Sequence, residues 1–359
     1  MATMIHHAPE RPDGLLERLR DATAAQLALL VVLLFGILVA STGMGYIQIP
    51  AAAVMKIILN KLTGHAELIA GMDEIFPVVV MDVRLPRILT SALVGGGLAM
   101  CGTVFQGILL NPLADPYTLG VSAGAAFGAS LAILMNVAAL GVHSVPLFAF
   151  IGAAATLAAV VYLSSASGGL SSNNLILSGI IVAAILSAGI SFLKYVADEQ
   201  VAVIIFWLMG SFASKTWADV TLILAATGGG LAVFLYFARE LNLMALGSQM
   251  ASSLGVDTRR VTLILLSAAS LVAAVCVSVS GIIGFVGLLV PHIMRLATGP
   301  DNRRLIPASL LAGALLLLCA DTLTRAILPT EIPIGVLTAL IGGPFFCYVF
   351  RRQSAGRAW

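Results

Sequence analysis

Arg84-Leu-Pro-Arg87, Asp321 and Arg325 put charge at the edges of long apolar runs. Asp321 and Arg325 are four residues apart, the spacing at which opposite charges on one helix face pair. The arginines have two readings: side chains that snorkel to lipid headgroups, or a basic rim that receives an acidic partner. Other patterns fall short of what their chemistry requires. Gly120-Val-Ser122-Ala-Gly124 matches a nucleophile pattern that needs a strand–turn–helix and a base; here it opens an apolar helix. Small residues at Gly120, Ser122, Gly124 and Gly128 suit close helix packing instead. Gly210…Lys215-Thr216 comes near a phosphate-binding loop but lacks the glycine before the lysine. His292 follows Pro291 inside an apolar stretch, where it suits a kink or a backbone bond. The four cysteines (Cys101, Cys276, Cys319, Cys347) stand singly, without metal or redox spacing, and read as small core residues.

The elements that position these residues are membrane spans. Of 359 residues, 60% are apolar and only 10% charged. Mean hydropathy is +1.05. A soluble domain of this length could not hide that much apolar surface in one core. The net charge of +2 gives no case for a nucleic-acid partner. A span needs about 20 mostly apolar residues. Ten are expected: Gln26–Met44, Arg87–Leu110, three between Pro116 and Leu193, Val220–Ala238, two between Val261 and Met294, Leu305–Thr324 and Ile332–Phe350. The breaks fall at Asn136…Pro146, Ser164–Asn174 and Ser278–Gly284.

The first apolar run follows a basic stretch, as in a signal peptide, but no charge occurs from Ala22 to Met55; a retained first helix fits better. Twelve of the nineteen lysines and arginines fall in the leader, the 239–260 loop, the 295–304 loop and the tail. That bias places both termini in the cytoplasm of a multi-pass inner-membrane protein. The expected organisation is an all-α permease: a cytoplasmic leader (1–24), one ten-helix domain (25–351) and a cytoplasmic tail (352–359).

Three further segments stand out. Gly45–Leu85 reads as an outer loop with both charge signs and an apolar patch at Ile75–Met81. Asn111-Pro-Leu-Ala-Asp-Pro116 ends a span with two prolines and two polar groups, which suits a tight turn or a rigid gate. The loop at 241–258 carries Leu243, Leu246, Met250 and Leu254 at three- or four-residue steps, broken by glycine. Short amphipathic helices are expected there, offering an apolar stripe to lipid headgroups or to a partner protein. Phe105-Gln-Gly-Ile-Leu-Leu-Asn-Pro112 faintly echoes Phe285-Val-Gly-Leu-Leu-Val-Pro291.

Taken in order and spacing, several of these segments resemble the FecCD-type permeases, which import iron siderophores, haem and cobalamin. The carriers are Arg84-Leu-Pro-Arg87, Gln106…Asn111-Pro-Leu-Ala-Asp-Pro116, Leu246-Gly…Ala251-Ser-Ser-Leu-Gly255-Val, Gly284-Phe-Val-Gly-Leu-Leu-Val-Pro-His292…Arg295, and Ala320-Asp…Arg325…Glu331-Ile-Pro-Ile-Gly335…Gly343-Pro-Phe-Phe346. The resemblance implies a type II importer architecture with ten helices in each of two permease copies, here a homodimer. It implies two ATPase subunits that hold ATP and magnesium, an extracytoplasmic binding protein, and no cofactor, metal or catalytic residue in this chain. By the same resemblance, Arg84, Arg87 and Arg325 dock the binding protein. Asn111, Leu113, Ser171 and Ser172 form a cytoplasmic gate. Leu246, Gly247, Ala251, Leu254 and Gly255 couple to the ATPase. The cargo expected is an iron siderophore, then haem, then cobalamin, with an oxyanion as a minor option. A proton-driven secondary transporter would need a buried titratable relay, and spans two to five contain no acid apart from Asp115 in a turn.

Overall fold

The computed structural model describes residues 12–45, 47–137, 141–166, 170–326 and 331–354. The outermost parts of the expected leader (1–11) and tail (355–359) lie outside the described residues. Among the described residues every regular element is helical. In chain order these are α1 (Pro12–Gly43), α2 (Ala51–Thr63), α3 (Ile75–Val78), α4 (Leu85–Leu109), α5 (Val121–Leu134), α6 (Ser144–Ala166), α7 (Ser172–Val196) and α8 (Val201–Leu208). There follow α9 (Trp217–Tyr236), α10 (Ala238–Met244), α11 (Ser248–Ser253), α12 (Thr258–Ser280), α13 (Val286–Thr298), α14 (Asn302–Ala326) and α15 (Ile334–Ser354).

Among the described residues seven helical runs are long and apolar enough to cross a membrane. They carry the first, second, fourth, fifth, sixth, seventh and ninth expected spans. The third, eighth and tenth fall on the shorter apolar helices α5, α13 and α15. Two expectations about boundaries need correcting. The second span does not begin at Arg87: helix runs without a gap from Ile75 to Leu109, through a π-helical turn at Val79–Arg84. Pro86 directly follows the π-helical turn, where the regular i→i−4 ladder that its missing N–H would break is already interrupted. The segment 45–85 is therefore mostly helix, with its own small core of Ile49, Val54, Ile57, Val80 and Leu85. At the other end of the chain's first span, α1 starts at Pro12, so part of the leader is helical.

The centre of the bundle is α4. It is buried along nearly its whole length and packs on α9, α12, α13 and α14. Lipid tails are as apolar as leucine, so this packing rests on close fit, not on expulsion of water. Glycine supplies the fit at two crossings. A Cβ on Gly95 would overlap the carbonyl of Gly313 in α14, and one on Gly102 would overlap Gly287 in α13. Backbone meets backbone there, and no larger residue can do this without pushing the helices apart.

Hydrogen bonds between distant residues sort the helix termini into two ends. At one end the finish of α1 meets the finish of α14 through Arg325, and the start of α4 meets α14 through Arg87. The Trp217 indole, which opens α9, donates to the Met81 carbonyl, and Lys215 donates to Val279 at the end of α12. At the other end the start of α14 meets α10 through Asn242. The finish of α4 meets α13 there, through Gln106 and Arg295. We call these the arginine end and the coupling end.

Candidate functional site: two ends of one bundle

At the arginine end, none of the three arginines points freely outward. Arg84 is 6% exposed. It donates to the carbonyls of Thr42 (2.8 Å), Gly43 (3.2 Å) and Ile47. Arg325 donates to the carbonyls of Met44 (2.5 Å) and Ser41 (2.8 Å) and to the Ser41 hydroxyl (3.1 Å). The last turn of a helix leaves carbonyls without N–H partners, and cations there also suit the helix dipole. Two arginines from distant parts of the chain thus cap α1. The Ser41 and Thr322 hydroxyls, 2.6 Å apart, add to the same contact.

Arg87 is held differently. Its Nε and Nη2 donate to Asp321 at 3.0 and 2.9 Å, and its Nη1 donates to Glu331 at 3.1 Å. Asp321 is 1% exposed and Glu331 is 54% exposed. The four-residue spacing suggested that Asp321 pairs with Arg325; Arg87 takes Asp321 instead, and Arg325 turns to α1. The π-helical turn at Val79–Arg84 shifts the phase of Arg84 relative to Arg87, which sequence spacing alone does not reveal. Glu331 pairs with Arg87 across 244 residues, a contact with no local signal in the sequence. Arg87, Asp321 and Glu331 line a cleft of about 200 Å³ together with Phe206, Phe212 and Ile332.

At the coupling end, the expected short helices form: α10 and α11 are separated by Gly247 (φ +98°), and Gly255 (φ +87°) ends the second. One side of them is anchored. Leu241 and Ala251 are fully buried, and Asn242 accepts from both the backbone and side chain of Asn302 while donating to Asp301. The other side is bare: Leu246 is 64% exposed, Met250 and Leu254 each 55%. Of the five expected coupling residues, Leu246 and Leu254 therefore present surface, the two glycines shape the turns, and Ala251 sits beneath.

The four expected gate residues do not meet in one place. Ser171 caps α7 by accepting from Asn174, and it lines, with Ser172, Leu110, Met244, Ser248 and Arg259, a cavity of about 550 Å³. Asn111 instead accepts from the Leu113 N–H at 2.9 Å, closing a tight turn. Leu113 faces a separate, small gap beside Leu288, Leu289 and Phe346. The turn is stiffened by Asp115, which accepts from the N–H groups of Tyr117 and Thr118, and by Tyr117, whose hydroxyl donates to Ile283 at 2.6 Å. Burial pushes the Asp115 carboxyl up to about 6. Beside this turn Gln106 accepts from Arg295 (2.9 Å) and donates to the Leu288 carbonyl (3.3 Å). The two faintly similar segments therefore lie against each other.

Two smaller expectations also meet the structure. Cys101 and Cys276 are buried as expected, but Cys319 and Cys347 are exposed, on helix faces that the apolar run alone does not orient. Gly120 and Ser122 open α5, and Gly124 and Gly128 let it approach Gly152 and Phe148 of α6.

Comparison with known proteins agrees with this architecture. Residues 29–352 match the FecCD transport family. A permease protein of a Bacillus subtilis ABC transporter, YvrB, is 40% identical over 316 residues, covering 87% of this chain and 89% of that one. The cobalamin import permease BtuC of Halobacterium salinarum is 44% identical over 285 residues (79% and 76%), and the hemin transport permease HmuU of Yersinia pestis 39% over 283 residues (77% and 84%). A solved inward-facing structure described as a metal-chelate type ABC transporter superposes with a TM-score of 0.79 at 34% identity, covering 91% of this chain and 98% of its own. With two separately built ends on one helical bundle and a family match across most of its length, this chain belongs to the FecCD transport family of ABC transporter permeases.

Proposed function

We propose that this chain is the ten-span permease subunit of an ATP-driven importer, working as a homodimer in the inner membrane with both termini cytoplasmic. Its cargo is a metal chelate: an iron siderophore first, then haem or cobalamin. The observation that carries this is the coupling end. The anchored helices α10 and α11 hold out Leu246, Met250 and Leu254 where a cytoplasmic ATPase would cover them. Relatives across the family are named for hemin, cobalamin and iron-citrate import, which supports the cargo class.

The mechanical path is short. α10 is bonded to the start of α14 through Asn242, and the far end of α14 carries Asp321 and Arg325. A helix of 25 residues is about 37 Å long, so α14 joins both ends as one continuous helix, with Pro307 in its second turn. ATP and magnesium would close the partner ATPases, and α10 would pass the displacement to α14, rocking the bundle so that the path opens to one side at a time. Ser171, Ser172, Asn111 and Leu113 would close the cytoplasmic mouth, the cavity at Ser171 and Ser172 merging with the gap at Leu113 across the dimer axis. Arg87, through the Glu331 side of its ion pair, would be the docking arginine nearest a binding protein.

The test is co-purification. The wild-type chain should bring down its ATPase and an extracytoplasmic binding protein, whose ligand mass spectrometry identifies. Leu254→Asp should lose the ATPase and keep its fold. Leu113→Cys, without the native cysteines, should crosslink two copies in some nucleotide states. An unchanged ATPase pull-down by Leu254→Asp overturns the coupling assignment.

A further inference from the structure

The helix α2 has three faces, and only two are accounted for by the fold. Val54 and Ile57 are buried against Ile49, Val80, Leu85 and Leu38 of α1. Lys56 and Thr63, seven residues apart on one stripe with Asn60 between them, are exposed and polar. Met55, Leu59 and Leu62 form a third stripe at the same spacing, and it is apolar: Leu59 is 43% exposed and Leu62 78%. Leu62 is thus a large apolar side chain held out from an ordered helix, whose end is closed by Gly64 in the left-handed region (φ +74°).

What covers that stripe follows from depth. Leu38 precedes the end of α1 by five residues, about 8 Å of helix. Since α2 packs on Leu38, it lies beside the last turns of a span, not beyond them. The Ile49 N–H bonds the Gly43 carbonyl at 3.0 Å, folding the connection back so that α2 starts at the rim of α1. A second marker gives the same level. Trp217, 41% exposed, donates its indole N–H to Met81, which packs on the same small core. Tryptophan with an apolar body and a hydrogen-bonded N–H is typical of the membrane boundary. α1 itself, which contacts α2, also holds out large apolar side chains, with Val32 and Phe35 exposed at 67% and 59%. Among the described residues neither Lys56 nor Lys61 has a carboxylate partner, and the helix contains no acid.

We propose that α2 lies flat in the lipid–water boundary at the arginine end, with Met55, Leu59 and Leu62 among acyl chains and Lys56 and Lys61 facing the phosphates of anionic phospholipid. Amphipathic helices that lie in the interface combine an apolar stripe, exposed basic residues and attachment to a span. Lys56 and Lys61 are five residues apart, about 140° round the helix, and so flank the apolar stripe on either side. Because the core under α2 includes Leu85, next to Arg84, the lipid seat also sets the level of the arginine clamp on α1.

The test uses the whole chain, free of native cysteines, in liposomes of phosphatidylethanolamine and phosphatidylglycerol at 3:1. Nitroxides are placed singly at Leu59→Cys, Leu62→Cys and Thr63→Cys. Labels at 59 and 62 should collide more with oxygen than with a water-soluble nickel chelate, and the label at 63 the reverse. In phosphatidylcholine alone, or with Lys56→Gln and Lys61→Gln together, the labels at 59 and 62 should shift toward water by a measurable step. Equal nickel access at 59, 62 and 63 overturns the proposal. So does protection of 59 and 62 that appears only when a purified binding protein is added, which would make the stripe a protein contact. Depth that ignores both lipid charge and the lysines overturns the phosphate contact.

Discussion

The two ends of the bundle handle exposed chemistry in opposite ways. At the arginine end, charge is satisfied from within: Arg84 and Arg325 are spent on the carbonyls of α1, and Arg87 is held between two carboxylates. At the coupling end, polar groups are tied down and apolar side chains are left bare. A surface whose charges are already paired can remain without a partner indefinitely. A surface with three large apolar residues in water is incomplete until something covers it. Under the proposed function, the difference would separate a contact made and broken on each cycle from one that persists.

Thermal melting of the purified permease in one detergent breaks or sharpens this contrast. Asp321→Ala should be the most damaging change. It leaves the Arg87 guanidinium buried with half its partners gone, at a cost of about 3–5 kcal/mol. Arg325→Ala should come next, at about 2 kcal/mol, because charge-assisted bonds to Ser41 and Met44 are lost. Hydrogen exchange should rise in the last turn of α1 and not in α7. Glu331→Gln should cost about 0–1 kcal/mol, since its side chain is half in solvent, and should strengthen salt-sensitive binding of any acidic partner at Arg87. Leu246→Asp with Leu254→Asp should shift stability least, within about 0.5 kcal/mol, while lowering ATPase association by at least tenfold. If the coupling-end pair melts early, or Asp321→Ala melts normally, the contrast fails.

The sequence made the membrane class, the helix breaks and the coupling helices legible, because each has a local signal. Apolar runs have length, and the glycines at 247 and 255 punctuate a periodic stripe. The family resemblance then carried the identity of the segments, and the match over 29–352 agrees with it. What stayed hidden were pairings set by helix phase and by contacts far along the chain. Asp321 with Arg325 is the natural local reading, but a partner 234 residues away decides otherwise. The outer segment reads as a loop because its apolar residues are interleaved with Lys56, Lys61, Glu67 and Asp73. Its helices show only when the small core beneath them is seen. The resemblance groups the gate residues, but one protomer puts Ser171 and Ser172 on one cavity and Leu113 on another, with Asn111 in the tight turn.

The clamp on α1 also orders the protein in time. A chain leaves the ribosome from its N-terminus, so α1 enters the bilayer while most of its neighbours are still unmade. Its final carbonyl partner, Arg325, lies 281 residues beyond Met44. Arg84 closes the Thr42 and Gly43 carbonyls early, but until Arg325 arrives those of Ser41 and Met44 lack their arginine. The assembly of the permease is therefore closed like a ring, with the ninth expected span completing the first. A nascent chain cut short before α14 would hold an α1 inserted but unlocked, a ready mark for membrane quality control to read.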